Sequence, residues 1–397
     1  MKIYLIGVGS GPDTLTKEAE CAIRQTECLI GAERLLDMFP DAGKRIKATR
    51  AEEIRDILKE EGQRGRQAPV CVLFSGDSGF YSGTKRLLTV LDGYDICVLP
   101  GISSLQLLAA RLGRSWQDWQ LCSAHGKECD AVKQVCCGKP VFFLTGGKTG
   151  PDALCRQLME AGLGTLEVTV GQDLGTEEEK IISGTAGDFS QRSFSSLSVL
   201  LTEAAPRRKR MTPGFPDSAF QRVDAVPMTK QFVRAAILAK LAPAQEETCW
   251  DIGSGTGSVA IELAMQAGRV YAVEKNPDAV RLAEVNRKEW GAWNLTVREG
   301  NAPEALGDLP VPDAVFIGGS GRKLKEIVWL IHEKNEHARI CMTAIAVESL
   351  ADAIEALKQI GYDPEIVQIG VSQSKKAGSL HLMTARNPVW LIAGGCA

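Results

Sequence analysis

The chain has 397 residues, 44% hydrophobic and 24% charged, with a formal charge of −3 at pH 7. This is a globular composition long enough for two or three domains, and it excludes a global basic field for nucleic acid. No apolar run approaches the roughly 20 residues needed to cross a bilayer.

The opening run MKIYLIGVGSGPDTLT is broken by glycines and leads into a polar turn and a helical pattern. It reads as a first strand and loop rather than a secretory leader, which predicts a cytoplasmic protein. The runs ECLIGA, APVCVLFSGD and YDICVLPG follow as strands, each leading into a helical pattern. A more strand-rich series comes next: WQLCSA, PVFFLTGG, LEVTVGQ, EKIISGT and LSVLLTE, with helical patterns at 128–135 and 151–161. The first half is therefore α/β twice over, as two lobes. The stretch 204–229 has no periodicity and holds four prolines, so it reads as a linker between domains 1–203 and 230–397. Its run Arg207-Arg208-Lys209-Arg210 reads as a solvated charge cluster. From 231 a third α/β series begins, with strands TCWDIG, RVYAVE, LTVREG, DAVFIGG and ARICMTAI separated by helices. It closes on the β-rich runs PEIVQIGVS, SLHLMTA and PVWLIAG. Twelve cysteines are scattered with no CxxC pair. They read as reduced thiols used as small core residues, and no metal site is expected.

The most informative stretch is CWDIGSGTGSVAIELA, 249–264. A phosphate-binding P-loop needs GxxxxGK[ST], but Gly257 is followed by Ser258-Val259. A dinucleotide fingerprint needs GxGxxG/A, but the glycines here are Gly253, Gly255 and Gly257. Asp251 precedes them, where a carboxylate would repel a pyrophosphate and welcome a sulfonium with an α-ammonium. Asp251 also reads as an N-terminal anchor of the glycine turn. Gly255 is expected where backbone approaches the ligand, with no room for a β-carbon. Glu274, at the next strand end, can accept both hydroxyls of a ribose. Asn301-Ala302, just past the third strand, can flank an adenine.

Together these residues resemble the class I S-adenosylmethionine-dependent methyltransferases. VPMTKQFVRAAILAKL, GRVYAVEKNPDAV, EGNAPEAL, PDAVFIGGSG and VQIGVSQSKKAG, in that order, resemble more narrowly the decarboxylating precorrin C15-methyltransferases of cobalamin biosynthesis. The resemblance implies cofactor contacts at Thr229, Gly253, Ser254, Gly255, Thr256, Gly257, Glu274 and Ala302. In the first half, GVGSGPDTLT, LFSGDSGFYSG, PGISSLQLLAARLGRSWQD, SAHGK and FFLTGG resemble the tetrapyrrole methylase family, in particular its precorrin C5-methyltransferase branch. That implies a second S-adenosylmethionine site, in a cleft between two lobes, at Ser10, Gly76, Asp77, Phe80, Ser103, Ser104, Thr145 and Gly175. One departure is Ser78, which stands where the family's triplet has proline. The fusion resembles the bifunctional precorrin-6B C5,15-methyltransferase family. The implied fold is a two-lobed tetrapyrrole methylase followed by a Rossmann-like class I domain.

The implied reaction is methylation of a precorrin or cobalt-precorrin at C5 and C15, with loss of CO₂ from the ring C acetate. Methyl transfer from a sulfonium to an enamine-like carbon needs mainly positioning in a dry cleft, so no catalytic base is assigned. Substrate carboxylates call for cations, and Lys230, Arg322 and Lys323 are the candidates, with Lys375 and Lys376 weaker ones and His125 a further contact. A homo-oligomer is expected from relatives of both domains. A chain with only one active domain, the other being a non-catalytic binding module, remains the alternative.

Overall fold

A computed structural model describes all residues except 64–67, 127, 148, 207–212 and 396–397. The basic run 207–210 thus lies outside the described residues. The chain divides into two compact units, Met1–Ala204 and Ala205–Ala397.

The first unit holds two sheets. Strands β1 (Lys2–Gly7), β2 (Cys28–Gly31), β3 (Lys44–Lys47), β4 (Val70–Phe74) and β5 (Asp95–Leu99) form a parallel sheet in the order β3-β2-β4-β1-β5. Both faces are covered: Ile3, Leu5, Val70 and Val72 pack into one core cluster, and Ile6, Leu29, Leu73 and Leu99 into another. That is why its central strands read as nearly continuous apolar runs. Strands β6 (Gln120–Ser123), β7 (Val141–Leu144), β8 (Glu167–Gln172), β9 (Lys180–Thr185) and β10 (Ser198–Thr202) form the second sheet, ordered β6-β7-β10-β8-β9. Only β6 and β7 are parallel; the other pairs are antiparallel.

The second unit holds a seven-stranded sheet. Strands β11 (Thr248–Ile252), β12 (Arg269–Glu274), β13 (Leu295–Glu299), β14 (Ala314–Ile317), β15 (Arg339–Ala344) and β16 (Glu365–Ile369) belong to it. The run after β16 forms a separate antiparallel hairpin, β17 (Ser372–Ala377) with β18 (Leu380–Ala385), before the last strand β19 (Val389–Gly394). The order is β13-β12-β11-β14-β15-β19-β16, with the first five parallel and β19 antiparallel to both neighbours. The strand order reverses at β11, with β12 and β13 laid down to one side and β14 and β15 to the other, and ligands of open α/β sheets bind at such a switch point. Among the described residues, no helix is long and apolar enough to cross a membrane.

The stretch read as a linker, 204–229, behaves differently along its length. The boundary between units falls at Ala204, and the described residues from Phe215 onward pack into the second unit. Phe215 and Phe220 belong to its core, with ring centroids 4.3 and 4.8 Å from that of Trp290. Arg234, fully buried, donates to Glu262 and Asp217 at 3.0 Å each and to the Phe215 carbonyl at 2.6 Å. From Phe215 onward the described residues hold one short 3-10 turn, Asp217–Ala219, and isolated aromatics and the buried Arg234 fix the rest, so the segment shows no periodicity.

Candidate cofactor and substrate sites

In the first unit, the loops that follow β1, β4 and β5 meet at close quarters. A β-carbon on Gly101 would lie 2.3 Å from the Gly76 carbonyl and 2.4 Å from the Gly7 carbonyl, so these backbones can converge only without side chains. The Gly9 and Gly76 amides donate to each other's carbonyls at 3.0 and 2.9 Å. Asp77 fastens the turn: Oδ1 accepts from the Gly79 amide at 2.9 Å and Oδ2 from the Gly101 amide at 3.1 Å. Ser78, the departure from the family triplet, is buried and donates its hydroxyl to the Leu99 carbonyl at 3.1 Å. This bond ties the turn to β5 where a proline would have stiffened it. Ser103 caps the helix Ser104–Leu112 through a capping box with Gln106.

These loops wall a cavity of about 460 Å³, within the range of small-molecule sites. Seven of the eight first-unit candidates line it: Ser10, Gly76, Asp77, Phe80, Ser103, Ser104 and Thr145. The eighth, Gly175, does not. Its amide donates to Glu179 Oε2 at 2.7 Å, and its Cα faces the Ser10 side chain. Thr145 is buried, with its hydroxyl engaged by the Ser198 carbonyl. His125 lines the cavity, its Nδ1 3.4 Å from the Thr145 carbonyl. The sequence reading missed Tyr81, a wall residue with left-handed backbone (φ 49°) whose hydroxyl donates to the Leu121 carbonyl at 3.1 Å. It also missed Arg34, which lines the cavity from the short helix after β2.

In the second unit, the glycine loop runs from β11 into the helix Ser258–Ala264. The Gly318 and Gly319 amides, from the loop after β14, both donate to the Ile252 carbonyl, at 2.8 and 3.2 Å. A β-carbon on Gly253 would meet the Gly319 nitrogen at 2.7 Å. The FIGGSG run is thus the packing partner of the glycine loop. Gly255 has φ 54°, and its β-carbon would come 2.4 Å from the Pro227 carbonyl. The protein's own backbone, just ahead of Thr229, therefore occupies the space that the sequence reading reserved for the ligand. Gly257 is likewise left-handed and abuts Ala283.

Asp251 is fully buried, and its Oδ2 accepts from the Ala260 amide at 2.9 Å, strapping the loop to the helix it opens. Burial pushes its pKa up to about 7 against the pull of that amide, and the Glu274 charge adds to the rise. The anchoring reading of Asp251 is therefore visible in the geometry, whereas the electrostatic reading needs a fully ionised carboxylate. The buried Asp251 Oδ1, Ser254 Oγ and Thr256 Oγ1 find no hydrogen-bond partner. Glu274 ends β12 half-buried; its Oε2 accepts from the Gly255 amide at 3.0 Å and its Oε1 from the Asn276 amide at 2.9 Å. Ala302 is half-buried against the core, whereas Asn301 is exposed and donates to Glu304 at 3.2 Å.

The three candidate cations differ. Lys230 is exposed at the start of the helix Gln231–Leu241, and Arg322 is exposed with left-handed backbone (φ 70°). Lys323 is instead paired with Glu304; the bond holds the Glu304 carboxyl below its ordinary range and raises the lysine. Lys375 and Lys376 lie exposed on β17.

Residues 2–190 match the tetrapyrrole (corrin/porphyrin) methylase family, and residues 219–393 match the precorrin methyltransferase domain family. Over 185 residues the chain is 40% identical to a probable cobalt-precorrin-6B C(15)-methyltransferase (decarboxylating) of Pyrobaculum calidifontis, covering 46% of this chain and 95% of that relative. A crystal structure of a precorrin-6y C5,15-methyltransferase from Geobacter metallireducens aligns at 36% identity with a TM-score of 0.44, covering 46% of this chain and 96% of its own. A decarboxylating precorrin-6Y C(5,15)-methyltransferase from a Sinorhizobium species is 32% identical over 396 residues, 97% of this chain and 94% of the relative. Matched along nearly its whole length, the chain belongs to the decarboxylating precorrin-6Y C(5,15)-methyltransferase family.

Proposed function

We propose that each unit is a methyltransferase with its own S-adenosylmethionine site. The first methylates a precorrin at C5; the second methylates at C15 and removes CO₂ from an acetate side chain. Support for this division comes from a relative that matches only 46% of this chain and whose name carries the C(15) and decarboxylating activities, read together with the precorrin methyltransferase domain match at 219–393. The observation that carries two sites is the pair of separate cradles, the cavity about Gly76 and the glycine loop with Glu274. The residues fit the cofactor. In the second unit, unpartnered buried oxygens lie in the glycine loop beside a carboxylate whose two oxygens each spend one interaction on backbone.

When bound, S-adenosylmethionine supplies an electrophilic methyl group on a sulfonium. Glu274, held by the Gly255 and Asn276 amides, keeps lone pairs for the ribose hydroxyls. Lys230 and Arg322 meet carboxylates of the tetrapyrrole. At C15 the carboxylate's bonding electrons flow into an electron-poor imine of the substrate as CO₂ departs, so the protein's work is orientation and exclusion of water. Calorimetry with S-adenosylhomocysteine should count two sites per chain. A single site in folded protein favours the alternative in which one unit is a non-catalytic module without its own cofactor.

We also infer a homo-oligomer. Leu380, Leu382 and Met383 on the β17–β18 hairpin are 64, 55 and 67% exposed, and an isolated two-stranded hairpin is marginal in water. A second copy covering this hairpin would bury them. Light scattering showing a monomer at micromolar concentration would refute the association.

A further inference from the structure

Among the described residues, the cavity of the first unit carries one guanidinium, Arg34. Among those residues no lysine lines it, and the other basic side chain in its wall is His125. Its two acids, Asp77 and Asp173, are already engaged. Asp77 accepts from two backbone amides, and Asp173 Oδ1 accepts from the Ser195 hydroxyl at 2.7 Å. The neighbouring Glu33 is paired with Lys47. Arg34 itself donates from Nη2 to the Ser75 hydroxyl at 3.1 Å, and no carboxylate among the described residues pairs with it. A guanidinium has five N–H donors in a rigid fork, so most of its capacity is unspent.

Position adds to this. Arg34 sits one residue into the short helix Glu33–Leu36, and Ala32, Leu35 and Thr49 line the cavity with it. The proposed cofactor loops at Gly76 and Ser103 form other parts of the wall. A cation held at one wall by a single neutral partner, in a cavity whose own acids are satisfied, is complementary to an incoming anion.

Building on the function proposed above, we propose that Arg34 receives a carboxylate of the tetrapyrrole in the first unit, by a forked pair of N–H donors. The macrocycle is thereby fixed in register for methylation at C5. Such a fork matches a carboxylate in a way that a lysine ammonium does not.

The test uses the full chain with Arg34→Gln, Arg34→Lys and Ser75→Ala. Three readouts are followed: methyl transfer to C5 by mass spectrometry, its KM for the precorrin, and the S-adenosylhomocysteine affinity of the first unit. Arg34→Gln should raise KM tenfold or more, with kcat and S-adenosylhomocysteine affinity within twofold of wild type. Arg34→Lys should fall between, and Ser75→Ala should stay within threefold of wild type. An unchanged KM in Arg34→Gln overturns the proposal while leaving the assignment of C5 methylation standing. A parallel loss of S-adenosylhomocysteine affinity, or the same KM rise in Ser75→Ala, overturns it by showing that Arg34 acts through the Ser75 loop. Wild-type protein that transfers no methyl to C5 would instead refute the function assigned to this unit, and the role of Arg34 with it.

Discussion

The Gly255 amide donates to Glu274 Oε2 at 3.0 Å, so the glycine loop and the end of the second strand are joined before any ligand arrives. The bond presets both the loop conformation and the carboxylate's orientation, since Oε1 is held by Asn276 as well. Glu274→Ala removes the ribose acceptor and this link together. Hydrogen bonds to a charged group contribute about 1.5–3 kcal/mol. S-adenosylhomocysteine affinity in the second unit should fall roughly ten- to 150-fold, and C15 methylation with it, while C5 methylation persists. Loss of the C5 methyl with retention of the C15 methyl, read by mass spectrometry, would reverse the assignment of activities to units.

Gly255→Ala distinguishes a glycine kept for the ligand from one kept for the fold. Its φ of 54° and the 2.4 Å approach to the Pro227 carbonyl place the conflict inside the protein. A left-handed non-glycine residue costs about 1–3 kcal/mol, and the PMTK segment must also move. The ligand-free melting temperature of the second unit should therefore fall along with binding. A variant that loses binding at an unchanged melting temperature would show that the Pro227 contact is soft.

The glycine loop and Glu274 could be read from sequence because one strand–loop–helix turn and the next strand end contain them. The fold class was legible for a similar reason: apolar runs mark strands that are buried on both faces. What stayed hidden depends on partners distant in the chain. Lys323 reads as a free cation until folding brings it to Glu304, and Phe215 and Phe220 read as linker until Trp290 meets them. Arg34 belongs to no local motif that the reading used, and only the cavity sets it apart.

Arg234 joins Asp217, Glu262 and the Phe215 carbonyl in the second unit. Glu262 is fully buried and also accepts from the Gly214 and Phe215 amides at 2.8 and 3.2 Å. Arg234→Met leaves a buried carboxylate without its cation, at a cost of about 3–5 kcal/mol. Urea unfolding followed by tryptophan fluorescence should show the second unit's transition at lower urea. The double variant Arg234→Met/Glu262→Leu should recover part of the loss. A single variant as stable as wild type would mean that the two amides alone satisfy Glu262.

Asp251 gives the ligand-free second unit a pH dependence opposite to that of ordinary paired carboxylates. Its folded pKa is about 7, raised chiefly by burial, whereas an unfolded aspartate titrates near about 3.9. Below both values the group is protonated in either state and contributes no slope. Between them the folded state holds the proton that the unfolded state has released, so stability falls as pH rises. Above about 7 both states are ionised and the loss is complete, at about 4 kcal/mol for a displacement of this size. Asp251→Asn can still accept from the Ala260 amide through its carbonyl oxygen, but it does not titrate. Its stability advantage over wild type should grow from pH 4 to 7 and then level off, when followed by thermal unfolding. Because the Glu274 charge contributes to the rise, Glu274→Ala should move the levelling point to lower pH. An Asp251→Asn difference that stays constant from pH 4 to 8 would mean that the buried carboxylate is ionised throughout.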